Sequence, residues 1–89
     1  MIIFKNSNGV DYEILKLIPF NAIDKQEYAD SWQKYRFALL QQVITPAKSK
    51  FIVACMVGEN SWGQGYYFDD LEPARDYINK LEKEYMAWL

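Results

Sequence analysis

The chain contains no histidine. That absence removes the Ser-His and Cys-His nucleophile pairs and every histidine-ligated metal site. Its one cysteine, Cys55, has no partner for an internal disulfide, which agrees with a reducing compartment and a cytoplasmic location. No apolar run approaches the ~20 residues of a membrane span, and Met1-Ile2-Ile3-Phe4 is too short for a signal-peptide core, so no membrane partner is expected. Basic residues are not in excess: 10 Lys and Arg stand against 12 Asp and Glu, a net charge of −2. The overall basic field that announces most nucleic-acid binders is therefore missing.

What is present is apolar and aromatic. Eighty-nine residues make one domain, 1–89, and a chain of this size hides only roughly 60 to 65% of its unfolded surface. With 51% apolar and 17% aromatic residues, large rings must supply much of the burial, each hiding on the order of 150 to 250 Å². No internal repeat, low-complexity tract or linker interrupts the chain.

The last third organises the rest. Trp62-Gly63-Gln64-Gly65-Tyr66-Tyr67-Phe68 reads as a strand, and it leads directly into a long helix whose apolar residues recur at Leu71, Ala74, Ile78, Leu81, Tyr85 and Trp88. That spacing draws one stripe on a 3.6-residue helix and requires a sheet or helix to cover it. Asp70, or Asp69 before it, is placed to cap the helix, and Pro73 falls in the first turn where its missing N–H costs least. Asp76, Lys80 and Glu84 at i, i+4 spacing predict a solvated, ion-paired outer face.

Upstream, Met1 to Lys5 and Val10 to Ile18 read as a hairpin around Asn6-Ser7-Asn8-Gly9. Val10, Tyr12 and Ile14 share one face before Leu15-Lys16-Leu17 blurs the alternation, and Pro19 stops the strand. Ile23 to Tyr35 carries a helix-start signature, with Asp24 as N-cap and Glu27 three residues on, and it places Tyr28, Trp32 and Tyr35 on one face of a helix of about three turns. Arg36 to Thr45 and Phe51 to Val57 read as central strands. Pro46 to Lys50 is too short for a crossover helix, so the two strands should be antiparallel. Gly58-Glu59-Asn60-Ser61 is the next turn, making a three-stranded meander. The expected fold is α+β: an antiparallel sheet, built from an N-terminal hairpin plus the meander, packed against the long C-terminal helix, with a short helix near 24–35.

Few residues invite chemistry. Asp69, Asp70 and Glu72 form the densest carboxylate cluster, but acidic residues at a helix start serve the orphan N–H groups and the macrodipole. Gly63-Gln64-Gly65 lacks the third glycine and the glycine turn of a dinucleotide fingerprint. Its glycines are expected on one face with Tyr67, leaving room for a helix or a partner to come close. Cys55, mid-strand and without a histidine to activate it, should be a buried, inert thiol. No catalytic, cofactor-binding or metal-binding residue is assigned.

Trp62, Tyr66 and Phe68 share the other face of the last strand, a row that is usually core. A two-layer sheet has one covered face, so some aromatics among Trp32, Tyr35, Tyr66, Tyr67 and Trp88 should stay partly exposed. The candidate partner contacts are Trp32, Tyr35, Trp62, Tyr66 and Tyr67. Arg36, Lys48 and Lys50, placed around the Pro46 connection, are the candidate contacts for the alternative, a nucleic-acid-binding domain using its sheet face.

The order helix, three antiparallel strands, helix from Ile23 to Leu89 resembles double-stranded RNA-binding domains. The three strands and helix, with Gly65-Tyr66-Tyr67-Phe68 leading into Leu71-Glu72-Pro73-Ala74-Arg75-Asp76-Tyr77, resemble AP2 and integrase N-terminal DNA-binding domains. The RNA-binding family has basic residues where this chain has Asp69-Asp70-Leu71-Glu72, which would repel phosphate. The pattern across Phe51 to Ile78 is similar to small uncharacterised α+β accessory proteins of phages, plasmids and conjugative elements of Gram-positive bacteria. That resemblance implies an accessory protein acting by binding. The expected function is thus a small non-enzymatic interaction protein without cofactor, its partner another protein or a second copy of itself, with nucleic acid the lesser alternative.

Overall fold

The computed structural model describes residues 2–43 and 50–87. Strand β1 (Ile3–Lys5) and strand β2 (Asp11–Pro19) form the expected hairpin. Asn6 organises its turn: the Oδ1 accepts the N–H groups of Asn8 at 3.0 Å and Val10 at 2.9 Å. Gly9 sits at φ 81°, a left-handed conformation that glycine adopts without steric cost. Helix α1 (Ala22–Glu27) follows, then β3 (Tyr35–Gln42), β4 (Phe51–Val57), β5 (Trp62–Phe68) and helix α2 (Leu71–Met86). The sheet runs in the order β1-β2-β3-β4-β5 with every neighbouring pair antiparallel, which is the expected hairpin plus meander.

Several boundaries differ from expectation. β2 runs from Asp11 to Pro19 and not from Val10 to Ile18, with Pro19 inside the strand and paired with Tyr35. β3 starts at Tyr35 and ends at Gln42, leaving Val43 exposed beyond it; the expected continuation to Thr45 and most of the Pro46 connection fall in 44–49, outside the described residues. α1 has six residues and not three turns. Its N-cap is Asn21, whose Oδ1 accepts from Ile23 N–H at 3.1 Å and Asp24 N–H at 2.8 Å, so Asp24 lies inside the helix. The Tyr28-Trp32-Tyr35 face never forms. Tyr28 stacks on Phe20 at a centroid distance of 4.9 Å, and Tyr35 begins β3.

One face of the sheet is buried by α2 as the periodicity requires. Ile18, Phe37, Leu39, Phe51, Val53 and Cys55 receive Ala74 and Ile78, with Leu71, Leu81 and Tyr85 packed around them. Burying a side chain the size of Ile78 is worth about 1.5 to 3 kcal/mol, an upper estimate because the unfolded chain already hides part of that surface. Trp88, the last member of the stripe, and Leu89 lie outside the described residues. At the start of α2, Asp70 occupies the N-cap position but its side chain makes no capping hydrogen bond. The outer face is also wired differently from the expected Asp76–Lys80 and Lys80–Glu84 pairs, neither of which closes among the described residues. Instead Lys16 of β2 reaches α2, donating to Asn79 Oδ1 at 2.7 Å and Glu82 Oε1 at 2.8 Å.

The opposite face is buried too, against the expectation of one covered face. Phe4, Tyr12, Ala38, Leu40, Ile52, Ala54 and Val57 form a second core, and among the described residues no helix covers it. The sheet covers itself. In a flat five-stranded sheet the edge strands would lie about 19 Å apart, four spacings of about 4.8 Å, yet Phe4 of β1 and Trp62 of β5 bring their ring centroids to 5.7 Å. Tyr12 completes the bridge, 5.5 Å from Trp62 and 6.4 Å from Phe4. The sheet is therefore curled, with this face on the inside of the curl.

Three irregularities accompany the curl, and such bulges reassign side chains between faces. The β2–β3 register shifts between Ile14 and Lys16 and again between Ile18 and Pro19. Ile14 packs with the inner core, whereas Lys16 and Ile18 serve the helix side. This is the physical content of the blurred alternation at Leu15. In β4, Met56 adopts φ 55°, after which Val57 joins the inner core although Cys55, two residues earlier, belongs to the helix side.

Candidate interaction surface

The register pairs Tyr35 with Val57 and Val57 with Trp62. The Met56 turnover thus sends a row of three neighbouring side chains to the inner face. Trp62 ends there, half-buried among Phe4 and Tyr12. Its indole lies over Gly65: a Cβ at that glycine would come within 3.0 Å of Trp62 Nε1 and 3.3 Å of the Tyr67 hydroxyl. The close approach that the glycine permits is by a ring of its own strand, not by a packing helix. Gly63 does not share that face, since a Cβ there would point at Met56 and the Cys55 carbonyl on the helix side. Tyr67 is 59% exposed. It also stands near Tyr12, whose phenol is held above its ordinary pKa by burial and then by Tyr67, with Asn6 acting in the opposite direction.

Of the remaining candidate contacts, Trp32 is 53% exposed. Its ring rests on Gly58, where a Cβ would meet Trp32 Cε3 at 2.5 Å and the Trp32 carbonyl oxygen at 2.9 Å. Tyr35 is half-buried in the inner core. Tyr66 lies on the helix side, edge-on to Tyr77 at 5.0 Å. The five aromatics do not make one surface. Trp62 and Tyr67 converge, Trp32 and Tyr35 lie toward the β4–β5 turn, and Tyr66 faces the other way. Sequence reasoning missed Phe4 and Tyr12, which hold Trp62 in place; the only sequence signal was Tyr12 on the apolar face of its hairpin.

The backbone of β5 adds a second element. Val43 N–H donates to Asp11 O at 3.1 Å and Gln42 N–H to Lys50 O at 2.8 Å. Hydrogen-bonded and non-bonded pairs alternate along an antiparallel ladder, so these two bonds set its phase as far as Cys55; beyond Met56, where Lys34 N–H donates to Val57 O at 2.7 Å and Gly58 N–H to Ser61 O at 2.8 Å, the phase is reversed. Ala38 and Leu40 bond to Ala54 and Ile52, while Val53 and Cys55 turn their backbone groups toward Tyr66 and Gln64. Gly65 and Tyr67 consequently aim their N–H and C=O groups outward. β5 is the end strand, and among the described residues no strand pairs with that outer edge.

The basic candidates are dispersed. Arg36 is the second residue of β3, and its guanidinium lies over the Phe37 ring at 4.4 Å and the Tyr85 ring at 5.4 Å. Lys50 precedes β4 at the other end of the same strand pair, over Phe51 at 5.4 Å. Six residues of strand separate the two ends, about 20 Å, so Arg36 does not belong to a cluster around the Pro46 connection. Lys48 lies outside the described residues.

A cleft of about 380 Å³ opens on the helix side between Arg36, Cys55, Met56, Gln64, Tyr66 and Leu81. Cys55 is 8% exposed, and burial pushes its thiol pKa up, with Arg36 opposing. A thiol so held is a poor nucleophile at neutral pH. Nearby, the Tyr85 hydroxyl donates to Asp24 Oδ2 at 2.8 Å and accepts from Asn21 N–H at 3.0 Å. Burial raises its pKa; the Asn21 N–H pulls it down and Asp24 adds to the rise. This phenol ties α1 to the last turns of α2. Among the described residues no group of three His, Cys, Asp or Glu side chains is placed to hold a metal ion, and no helix is long and apolar enough to cross a membrane.

Comparison of the chain with protein-family models, with curated proteins and with solved structures finds no match.

Proposed function

We propose that this chain is a small non-enzymatic binding protein that acts by protein contact through the outer edge of β5 and the aromatic side chains beside it. The outer edge carries the reading. It is seven residues long, contains no charged side chain, and presents the backbone groups of Gly65 and Tyr67. Natural proteins commonly blunt such edges with lysine, proline or shortness. β1, the other edge, has only three residues and includes Lys5, ion-paired to Asp11 at 3.2 Å. β5 carries neither lysine nor proline. Exposed Tyr67 supplies apolar contact area with a polar tip, the combination that interfaces favour. The likeness of Phe51 to Ile78 to mobile-element accessory proteins supports the same role, with the cytoplasm as its site of action.

The test is site-specific photo-cross-linking in a lysate of the source cell. A photo-reactive residue at position 67 is expected to give a discrete protein adduct, while the same group at Lys83, exposed on α2, gives none. Equal labelling from both positions, or none from 67, overturns the proposal.

A further inference from the structure

We infer that the occupant of the β5 edge is a second copy of this chain, paired antiparallel strand to strand across a twofold axis. The inference rests on the proposed role of that edge and names its partner. An isologous contact requires the surface to be complementary to itself, and β5 meets this requirement in three respects.

The first is hydrogen bonding. With Tyr66 opposite Tyr66 of the second copy, each Gly65 faces a Tyr67, and these are the residues whose N–H and C=O groups point outward from β4. Each such pair exchanges two hydrogen bonds. The second is side-chain fit. Gly65 and Tyr67 lie on the inner face, so each Tyr67 stands opposite a glycine and the two Tyr67 rings are not set directly against each other. The third is charge. Trp62 to Phe68 carries none, and in this register Asp69 and Asp70 fall opposite Gly63 and Trp62 of the other copy and not opposite each other. Like charges directly across a ladder would be destabilising; this alignment avoids them. The twofold axis stands perpendicular to the sheet, keeps both α2 helices on one side, and joins two five-stranded sheets into one. α2 rests on β3 and β4 as well as β5, which sets it back from the pairing edge.

The experiment uses the whole chain in sedimentation equilibrium across a concentration series, together with amide hydrogen exchange followed by NMR. The expected result is a reversible monomer–dimer equilibrium in which the Gly65 and Tyr67 amides gain protection as concentration rises, while the amides of Tyr66 and Phe68, bonded within the chain, are protected throughout. Tyr67→Lys places like charges close together across the twofold axis and should weaken association about tenfold or more, with unchanged circular dichroism because the side chain it replaces is largely exposed. A chain that stays monomeric throughout overturns the inference. So does a dimer whose Gly65 and Tyr67 amides exchange freely, whatever the variant does, because that dimer uses another surface. If the chain is monomeric yet position 67 cross-links to a different protein, the second copy is excluded and the binding role stands. If the chain is monomeric and position 67 cross-links to nothing, both fall.

Discussion

On the helix side of the sheet, Ala74 and Ile78 arrive on one continuous stripe of α2 and press into Phe37, Leu39 and Val53. On the inner side, Phe4 and Trp62 arrive from the two opposite edges and meet 5.7 Å apart. The two faces are comparably buried, with Ile78 and Val53 fully hidden on one and Leu40 and Ala54 on the other. Their origins differ. The first core needs one amphipathic helix to dock. The second needs five strands in register and three local irregularities, because among the described residues no single element supplies its cover. A sheet can thus bury both faces with only one helix to spare, provided it curls far enough for its own edges to close the inner side.

Paired truncations, Phe4→Ala and Ile78→Ala, test that equivalence most strongly. Both side chains are almost wholly buried, and such changes cost about 3 to 5 kcal/mol for Phe and 2 to 5 for Ile. Denaturant unfolding should therefore give losses of similar size, with amide exchange rising first in β1 and β5 for Phe4→Ala and in α2 for Ile78→Ala. A Phe4→Ala loss under about 1 kcal/mol would mean the inner face is not closed by its edges.

The left-handed conformation of Met56 assigns Val57 and Trp62 to the inner face, and it can be tested by shape alone. A residue with a Cβ pays roughly 1 to 2 kcal/mol in the left-handed region, which Met56 already bears, and a β-branched residue fits there less well still. Met56→Val should lower stability and reduce the protection of Trp62 from fluorescence quenching, while Met56→Gly, which relieves the backbone, should cost less. Equal losses would show that Met56 matters for its packing and not for its φ.

Tyr85→Phe removes the hydrogen bonds to Asp24 and from Asn21 while keeping the ring on Phe37, for an expected loss of about 1 to 2 kcal/mol. The ring alone secures the helix side; the hydroxyl secures α1. Exchange should rise in Ala22–Glu27 and not in α2. The phenol also titrates. Burial raises the folded-state pKa of Tyr85 and of Tyr12 above the ordinary value, so the folded chain resists losing these protons more than the unfolded chain does. Their contribution is fully present below about pH 10, the unfolded value, and is lost as pH rises through the higher folded values. Thermal midpoints measured from neutral to strongly alkaline pH should fall in that window, and less steeply in Tyr85→Phe.

The smallest effect is expected at Glu82→Ala. Its ion pair with Lys16 joins β2 to α2, but both side chains keep about a third of their surface in water, 33% and 38%. Solvent screening leaves such pairs worth about 0 to 1 kcal/mol. A double-mutant cycle with Lys16→Ala giving a coupling above about 1.5 kcal/mol would show the helix to be held by charge as well as by its apolar stripe.

Much of the architecture is legible in the sequence. The Leu71-Ala74-Ile78-Leu81-Tyr85 stripe, the apolar run Phe51 to Val57 and the Asn-Gly hairpin each report a local preference, and local preferences are read residue by residue. The short helix was not legible because two start signals competed. Asn21 and Asp24 are both good caps, and the helix that would have used Asp24 lost Tyr28 to Phe20 and Tyr35 to the sheet. The candidate contacts divided similarly. Trp32 and Tyr67 are exposed as expected. Trp62 and Tyr66, two positions of equal parity, went to opposite faces because alternation is reversed beside Met56.

What the sequence alone determined about this protein is its class of fold: which stretches are strands, that consecutive strands must be antiparallel, and which stripe of the last helix is apolar. Each is set by side-chain periodicity and by connections too short to allow another topology. Only the tertiary structure decided that the sheet curls and that Phe4 meets Trp62. It also decided that Tyr85 reaches Asp24 and that β5 aims Gly65 and Tyr67 outward. Those outcomes depend on register, on one residue in a left-handed conformation and on contacts between residues far apart in the chain, and periodicity within a segment carries no information about any of them.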